Sequence, residues 1–115
     1  MLRQRRTIRP VRFVETVAFT RRVVEVMSDD EYRKLQEGLL ARPTHGVLIP
    51  GTGGARKIRW GSQGRGKRGS FRIIYYWHSY RQIFLMLYLY AKNEQGDLTT
   101  TQRRTLGQVI GENLK

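Results

Sequence analysis

Four basic residues stand where strand alternation could bring them to one face of a sheet. Lys57 and Arg59 are separated by one residue, so on a strand their side chains point to the same side, away from the apolar residues beside them. Arg72 opens the next apolar run, and Lys92 ends the run after that. If these runs pair as neighbouring strands, the four cations line one open face that can bind phosphate.

Such a face suits the cleavage of RNA by attack of its own 2′-hydroxyl on the adjacent phosphate. Fixed Arg and Lys side chains stabilise the negative charge that develops on oxygen. A lysine whose pKa is lowered by neighbouring cations can accept a proton, whereas arginine stays protonated. Lys57 is therefore our hypothesis for the general base. The alternative is that alternating Lys and Arg simply face solvent on a half-exposed strand.

Basic and aromatic residues around this set predict contact with RNA or with a ribosome. The loop 64–69 interleaves glycine with Arg and Lys, so its backbone N–H groups could approach phosphates. It lacks the GxxxxGK[ST] pattern of a nucleotide-binding P-loop, and its alternative interpretation is a hairpin tip. The predicted contact residues are Arg56, Arg65, Lys67, Arg68, Tyr90 and Asn93.

The sequence predicts neither a metal site nor a cofactor. His45 and His78 are the only histidines, they are far apart, and both fall in predicted loops. The chain has no cysteine, which excludes thiolate ligands and a cysteine nucleophile. The acidic run 29–31 is better explained as the start of a helix than as a ligand set.

The overall charge predicts a polyanionic partner. Lys and Arg number 22 against nine Asp and Glu, a formal net charge of +13, and no acid occurs between Gly38 and Asn93. No apolar run reaches the ~20 residues that span a bilayer, and the arginine-rich start lacks the apolar core of a secretory signal. We therefore expect a cytoplasmic protein without a membrane partner.

Local patterns predict an α+β domain over residues 1–115, with residues 1–10 as a basic arm. Ser28 and Glu31 form a capping box that begins a helix over 29–42, and an apolar period around Phe19 predicts a shorter helix before it. The predicted strands are a short one near Val11, then 55–60, 71–77 and 83–91, with a final helix after Thr99. Such elements predict an antiparallel sheet of three to four strands, packed by two N-terminal helices and a C-terminal helix.

At this point the sequence resembles the RelE superfamily of toxins, in its HigB-like branch. The motifs that carry the resemblance are GTGGARKIRW, GKRGSFRIIYYW and YAKNE, followed by a terminal helix after DLTTTQRRTL. The likeness runs from about Val11 to Leu114, and the block 51–97 is its most specific part. The resemblance implies a RelE-like fold with two helices on one side of the sheet.

The resemblance also implies an activity and a partner. The activity is metal-independent cleavage of mRNA in the ribosomal A site, by the toxin of a type II toxin–antitoxin system. Lys57, Arg59, Arg72 and Lys92 match the family's catalytic positions. The partner is a HigA-like helix-turn-helix antitoxin, so that DNA is contacted only through the toxin–antitoxin complex. Two departures put the general base in doubt: Asn93 stands where RelE has an arginine, and the final helix has no tyrosine.

Two other functions remain open at this stage. A non-catalytic module that docks on rRNA or DNA would have the same charge pattern, but it would need no proton-transfer group. A ParE-like toxin on the same fold would poison DNA gyrase instead. The cluster of Lys57, Arg59 and Arg72 argues against this last function.

Overall fold

Five strands and three helices lie within residues 10–61 and 70–113, the part of the chain that the computed structural model describes. Of the predicted basic arm, only Pro10 falls within this part. Its elements are β1 (Arg12–Glu15), α1 (Val17–Val26), α2 (Asp29–Ala41), β2 (Val47–Leu48), β3 (Arg56–Gly61), β4 (Ser70–His78), β5 (Ile83–Ala91) and α3 (Thr100–Asn113). None of these helices is both long and apolar enough to cross a membrane.

Side-chain caps fix where the helices begin. The capping box predicted for α2 is confirmed, because Ser28 Oγ accepts from the Glu31 N–H at 3.1 Å and the Glu31 carboxylate accepts from the Ser28 N–H. Thr99 begins α3 with the predicted reciprocal pair to Gln102, whose N–H donates to Thr99 Oγ1 at 3.1 Å. Thr16 caps α1 by accepting from Phe19, a helix start that the sequence did not define.

The five strands form one mixed sheet in the order β1-β5-β4-β3-β2. β2, β3, β4 and β5 pair antiparallel, but β1 runs parallel to β5, with Arg12 beside Ile83 and Glu15 beside Met86. The expectation of three to four antiparallel strands is therefore wrong in both number and direction. The reason is that β1 pairs with a strand about 70 residues away, and that β2 has only two residues in a loop rich in Pro and Gly.

Helices cover both faces of the sheet. On one face, α1 and α2 pack Phe19, Val23, Leu35 and Leu39 against inward residues of β4 and β5 such as Ile73. On the other face, α3 and the segment before it bury a second apolar cluster. That cluster consists of Ile49, Ala55, Ile74, Leu85, Leu87, Tyr90, Leu98, Leu106 and Ile110. Because both faces are buried, β4 and β5 read as continuous apolar runs rather than as alternating strands.

Hydrogen bonds in the loop before β3 set the entry of that strand. The Tyr75 hydroxyl, fully buried, donates to the Pro43 carbonyl at 2.8 Å and accepts from the Gly46 N–H at 3.0 Å. Thr52 Oγ1 donates to the Ile49 carbonyl and accepts from the Ala55 N–H. These bonds tie the loop to the core, so β3 starts in a fixed register beside β4.

Candidate nucleic-acid interface

The sheet register brings two arginines and a tyrosine into one row. Arg59 of β3 lies directly opposite Arg72 of β4, and Arg72 lies directly opposite Tyr90 of β5. Side chains at directly opposed positions project from the same face, with Cβ atoms about 5 Å apart. The sequence-based expectation that Arg72 approaches the β3 cations agrees with this register.

Lys57 stands one row further along the same face, opposite Ile74. Its side chain is about one-third exposed, whereas Ile74 is fully buried in the apolar cluster under α3. We call the surface formed by Lys57, Arg59 and Arg72 the basic face. Lys92 follows the end of β5, is exposed, and donates its N–H to the Ser70 carbonyl at 3.3 Å, which continues the β4–β5 register by one position.

The two opposed arginines have no carboxylate partner among the described residues. Arg59 is exposed, and the Arg72 guanidinium donates to Ser70 Oγ at 3.0 Å. Like charges directly opposite each other on paired strands destabilise a sheet. An anionic ligand between the two arginines would remove that repulsion.

Asp97 is the carboxylate that adjoins this surface. Its Oδ1 lies 3.5 Å from Lys57 Nζ, and its Oδ2 lies 3.2 Å from the guanidinium of Arg103 in α3. Hydrogen bonding from the Leu98 N–H, at 2.8 Å, lowers the pKa of Asp97. Burial opposes this, and the charges of Lys57 and Arg103 lower the pKa further. The cation-rich surroundings expected for Lys57 therefore include an anion.

Tyr90 is buried, with only 1% of its surface exposed, and its hydroxyl has no hydrogen-bond partner. Burial raises the pKa of Tyr90, the charge of Asp97 raises it further, and the charges of Arg72 and Arg103 oppose the rise. The hydroxyl therefore stays protonated and lies within electrostatic reach of these three side chains. Because its ring is covered, Tyr90 offers no surface on which a base could stack in this structure.

Arg56 lies on the opposite face from Lys57, in the row of Tyr75. Its guanidinium donates to the carbonyl oxygens of Thr44 at 3.1 Å and Gly46 at 2.8 Å. The structure therefore places Arg56 on the opposite side of the sheet from Lys57 and Tyr90, where it holds the loop before β3. Strand alternation already implied this face, since Arg56 and Lys57 are adjacent in sequence.

The remaining predicted contact residues are only partly described. Asn93 is exposed in the turn after β5, and Glu94 of the same turn pairs with Arg22 of α1 and accepts from the Ala91 N–H. These contacts fix the turn that carries Lys92 and Asn93. Arg65, Lys67 and Arg68 lie outside the described residues.

Sequence reasoning missed Arg103 and the contacts of Asp97. The pair between Asp97 and Lys57 joins residues 40 positions apart, and no local pattern indicates it. Arg103 falls one turn into α3, where the sequence alone cannot tell which side of the helix meets the sheet.

Comparison with known proteins adds no assignment, because no protein-family model matches the chain. Within residues 10–61 and 70–113, no three side chains of His, Asp or Glu come together as metal ligands would. The two histidines are separate: His45 is exposed after α2, and His78 Nδ1 accepts from the Arg81 N–H in the β4–β5 turn. What the described residues offer is an open cationic surface beside a buried tyrosine.

Proposed function

We propose that this chain is the toxin of a type II toxin–antitoxin system, a ribosome-dependent mRNA endoribonuclease of the RelE superfamily in its HigB-like branch. The observation that carries the proposal is the directly opposed pair of Arg59 and Arg72, with Lys57 on the same face. Two like charges that lie opposite each other without a carboxylate between them lower the stability of the folded sheet. Binding of a phosphate accounts for that arrangement.

In the proposed reaction, the 2′-oxygen attacks the adjacent phosphorus and the 5′-oxygen leaves. The proton of the 2′-hydroxyl passes to a base, and the leaving 5′-oxygen gains a proton. Arg59 and Arg72 stabilise the charge on the phosphate oxygens, because guanidinium groups match phosphate with paired hydrogen bonds. Lys57 remains our hypothesis for the base, and Lys92 supplies a further cation at the end of β5.

The arrangement of the helices supports a RelE-like fold as part of this proposal. The resemblance implies two helices on one side of the sheet, and α1 and α2 share one apolar cluster while α3 packs on the other. The parallel β1–β5 pair departs from the antiparallel sheet that we expected, because β1, a predicted strand, runs in the opposite direction to the one expected. We further propose a cytoplasmic location, from the composition, and a HigA-like antitoxin partner, from the sequence resemblance.

Primer extension on a translated mRNA tests the activity. Purified protein is added to translating ribosomes, and a parallel reaction contains the same RNA without ribosomes. We expect cuts at codon positions only in the tube with ribosomes. Lys57→Ala and Arg72→Ala should each abolish the cuts, whereas Lys34→Ala, an exposed change on α2 across the sheet, should keep them.

Other outcomes would redirect the proposal. Cleavage that survives in Lys57→Ala at the wild-type rate would show that Lys57 is not the base. Binding to ribosomes without any cuts would favour a docking module on rRNA. Inhibition of gyrase in a supercoiling assay, again without cuts, would favour the ParE-like activity.

A further inference from the structure

Two buried donor atoms near the basic face have no hydrogen-bond partner. They are Tyr90 Oη and Arg103 Nε, and no other buried side-chain nitrogen or oxygen in the described part of the chain is left unpaired. Buried polar groups are nearly always satisfied, so an unpaired pair at one place requires an explanation such as an absent water or ion. Each atom can donate a hydrogen to an anionic oxygen, since Nε–H is a donor only and a neutral phenol donates readily.

Packing of α3 against β5 brings these donors to one seam. Tyr90 is buried in the same apolar cluster as Leu98 and Leu106, which precede and follow Arg103 along the chain. Arg103 reaches Asp97, which in turn reaches Lys57 on the basic face. Arg72 is the β4 neighbour of Tyr90 in the sheet register. The seam therefore continues the basic face from the strands onto the helix.

The ion pairs of the carboxylate at this seam are weak, and its Oδ1 also accepts from the Leu98 N–H at 2.8 Å. Asp97 is about half exposed, and its contacts with Lys57 and Arg103 are 3.5 Å and 3.2 Å long. Ion pairs that remain in contact with solvent are easily exchanged for others. Two cations, Lys57 and Arg103, therefore hold one replaceable anion, and Arg72 lies beside Tyr90 in the next strand.

We propose that Tyr90 Oη and Arg103 Nε, with Arg72, form an anion subsite that holds a phosphodiester of the RNA, and that Asp97 pairs with Arg103 until the phosphate displaces it. The inference rests on the proposed function, which it deepens by assigning a second phosphate position beside the basic face. Both donor atoms are buried in the present arrangement, so the proposal requires Arg103 to exchange its contact with Asp97 for one with the phosphate. Tyr90 acts here through its hydroxyl and not as a stacking platform.

Nitrogen-15 NMR of the full chain observes the subsite directly, because a buried Nε–H is protected from exchange with water and the Arg103 signal is assigned by its loss in Arg103→Lys. The probes are inorganic phosphate and a dinucleoside monophosphate with a 2′-deoxy group at the first sugar, which cannot be cleaved. We expect the Arg103 Nε–H signal to move and saturate with the dinucleotide at lower concentration than with phosphate. Saturation by phosphate alone, with no response to the dinucleotide, would overturn the assignment to an RNA phosphodiester.

Paired variants distinguish binding at this subsite from the general electrostatic attraction between a basic protein and RNA. Tyr90→Phe and Arg103→Lys each remove one donor without changing the charge, and each should weaken dinucleotide binding about tenfold, as expected for loss of one charge-assisted hydrogen bond. Tyr88→Phe, in the neighbouring ring of the same strand, and Arg104→Lys, exposed on α3, are the matched controls and should bind as the wild type does.

Stability supplies a second readout for Tyr90. Because the hydroxyl is unpaired in the free protein, Tyr90→Phe should raise Tm while it weakens binding. A fall in Tm would mean that the hydroxyl is already satisfied without ligand, and would overturn the proposal. If Arg72 responds to the dinucleotide while Arg103 does not, the subsite is wrong and the proposed function stands. If Arg103 responds but no mRNA is cut on ribosomes, the subsite stands and the proposed function fails.

Discussion

Replacing Arg72 by glutamine removes one positive charge from the centre of the basic face while keeping a side chain of similar length. Arg72 lies between Arg59 and Tyr90 in the sheet, so a phosphate on this face lies within its reach. Lys34→Gln is the matched control, because Lys34 is exposed on α2, on the other side of the sheet. Arg56→Gln is a second control, since the Arg56 guanidinium already binds two loop carbonyls.

The salt dependence of RNA binding gives a magnitude for this change. Each phosphate contact contributes about 0.7 to the slope of log K against log salt for single-stranded nucleic acid. When salt rises from about 50 to about 200 mM, both proteins lose affinity. The factor lost by a variant that lacks one contact should be roughly 2.5 times smaller than the factor lost by the wild type. At the lower salt concentration Arg72→Gln should bind roughly tenfold more weakly, since a charge-assisted hydrogen bond contributes about 1.5 kcal/mol.

Fluorescence anisotropy with a short labelled RNA that carries 2′-deoxy sugars measures both quantities without cleavage. The chain has other basic residues, so the prediction concerns the difference between variants and not the absolute slope. Arg72→Gln should lower the slope by about 0.7, while Lys34→Gln and Arg56→Gln leave it unchanged. Equal slopes for Arg72→Gln and Lys34→Gln would refute the assignment of phosphate binding to the basic face.

Three further changes test how the scaffold holds this surface. Tyr75→Phe leaves two loop backbone groups unpaired, so it should destabilise the fold by about 2 kcal/mol and lower Tm by roughly 8 °C in a thermal melt. Thr16→Val removes the cap of α1 and the hydroxyl that donates to the Leu87 carbonyl at 2.7 Å, and urea unfolding should show a loss of about 2 kcal/mol. Asp97→Asn should be less stable than wild type at pH 7, and the difference should shrink as pH falls below the ordinary aspartate pKa and disappear once Asp97 is protonated in the folded state as well. The folded state lowers the pKa of Asp97, so this contribution is present above the unfolded pKa and is lost as pH falls through the folded one.

Local signals account for the parts of the fold that the sequence predicted. The Ser28 capping box and the apolar period after it defined α2 to within a residue, because a helix is specified by neighbours three and four positions apart. The β4–β5 hairpin followed from two β-rich runs and a short turn. Alternation within β3 placed Lys57 and Arg59 on one face, and the observed register extends that face to Arg72.

What the sequence did not predict depends on contacts between distant segments. The parallel β1–β5 pair and the pairing of Asp97 with Lys57 join parts of the chain that share no local pattern. Arg56 was assigned to RNA contact from its type and neighbourhood, whereas its hydrogen bonds depend on where the loop before β2 lies. The burial of Tyr90 follows from the position of α3, which no local sequence pattern specifies.

A single irregularity in β5 connects the scaffold to the proposed site. The β4–β5 register shifts between Ile74 and Tyr75, which leaves an extra residue in β5 opposite this step. Before the shift, Leu85 and Leu87 face α3; after it, Tyr88 and Tyr90 do so. In an unbroken strand, alternation would turn Tyr90 toward α1 and α2, away from the face of Arg72.

This irregularity is a β-bulge, and a residue outside the β4–β5 pair supports it. Thr16 donates its hydroxyl to the Leu87 carbonyl and its N–H to the Met86 carbonyl. The start of α1, remote from the cations in sequence, therefore helps to place the tyrosine among them.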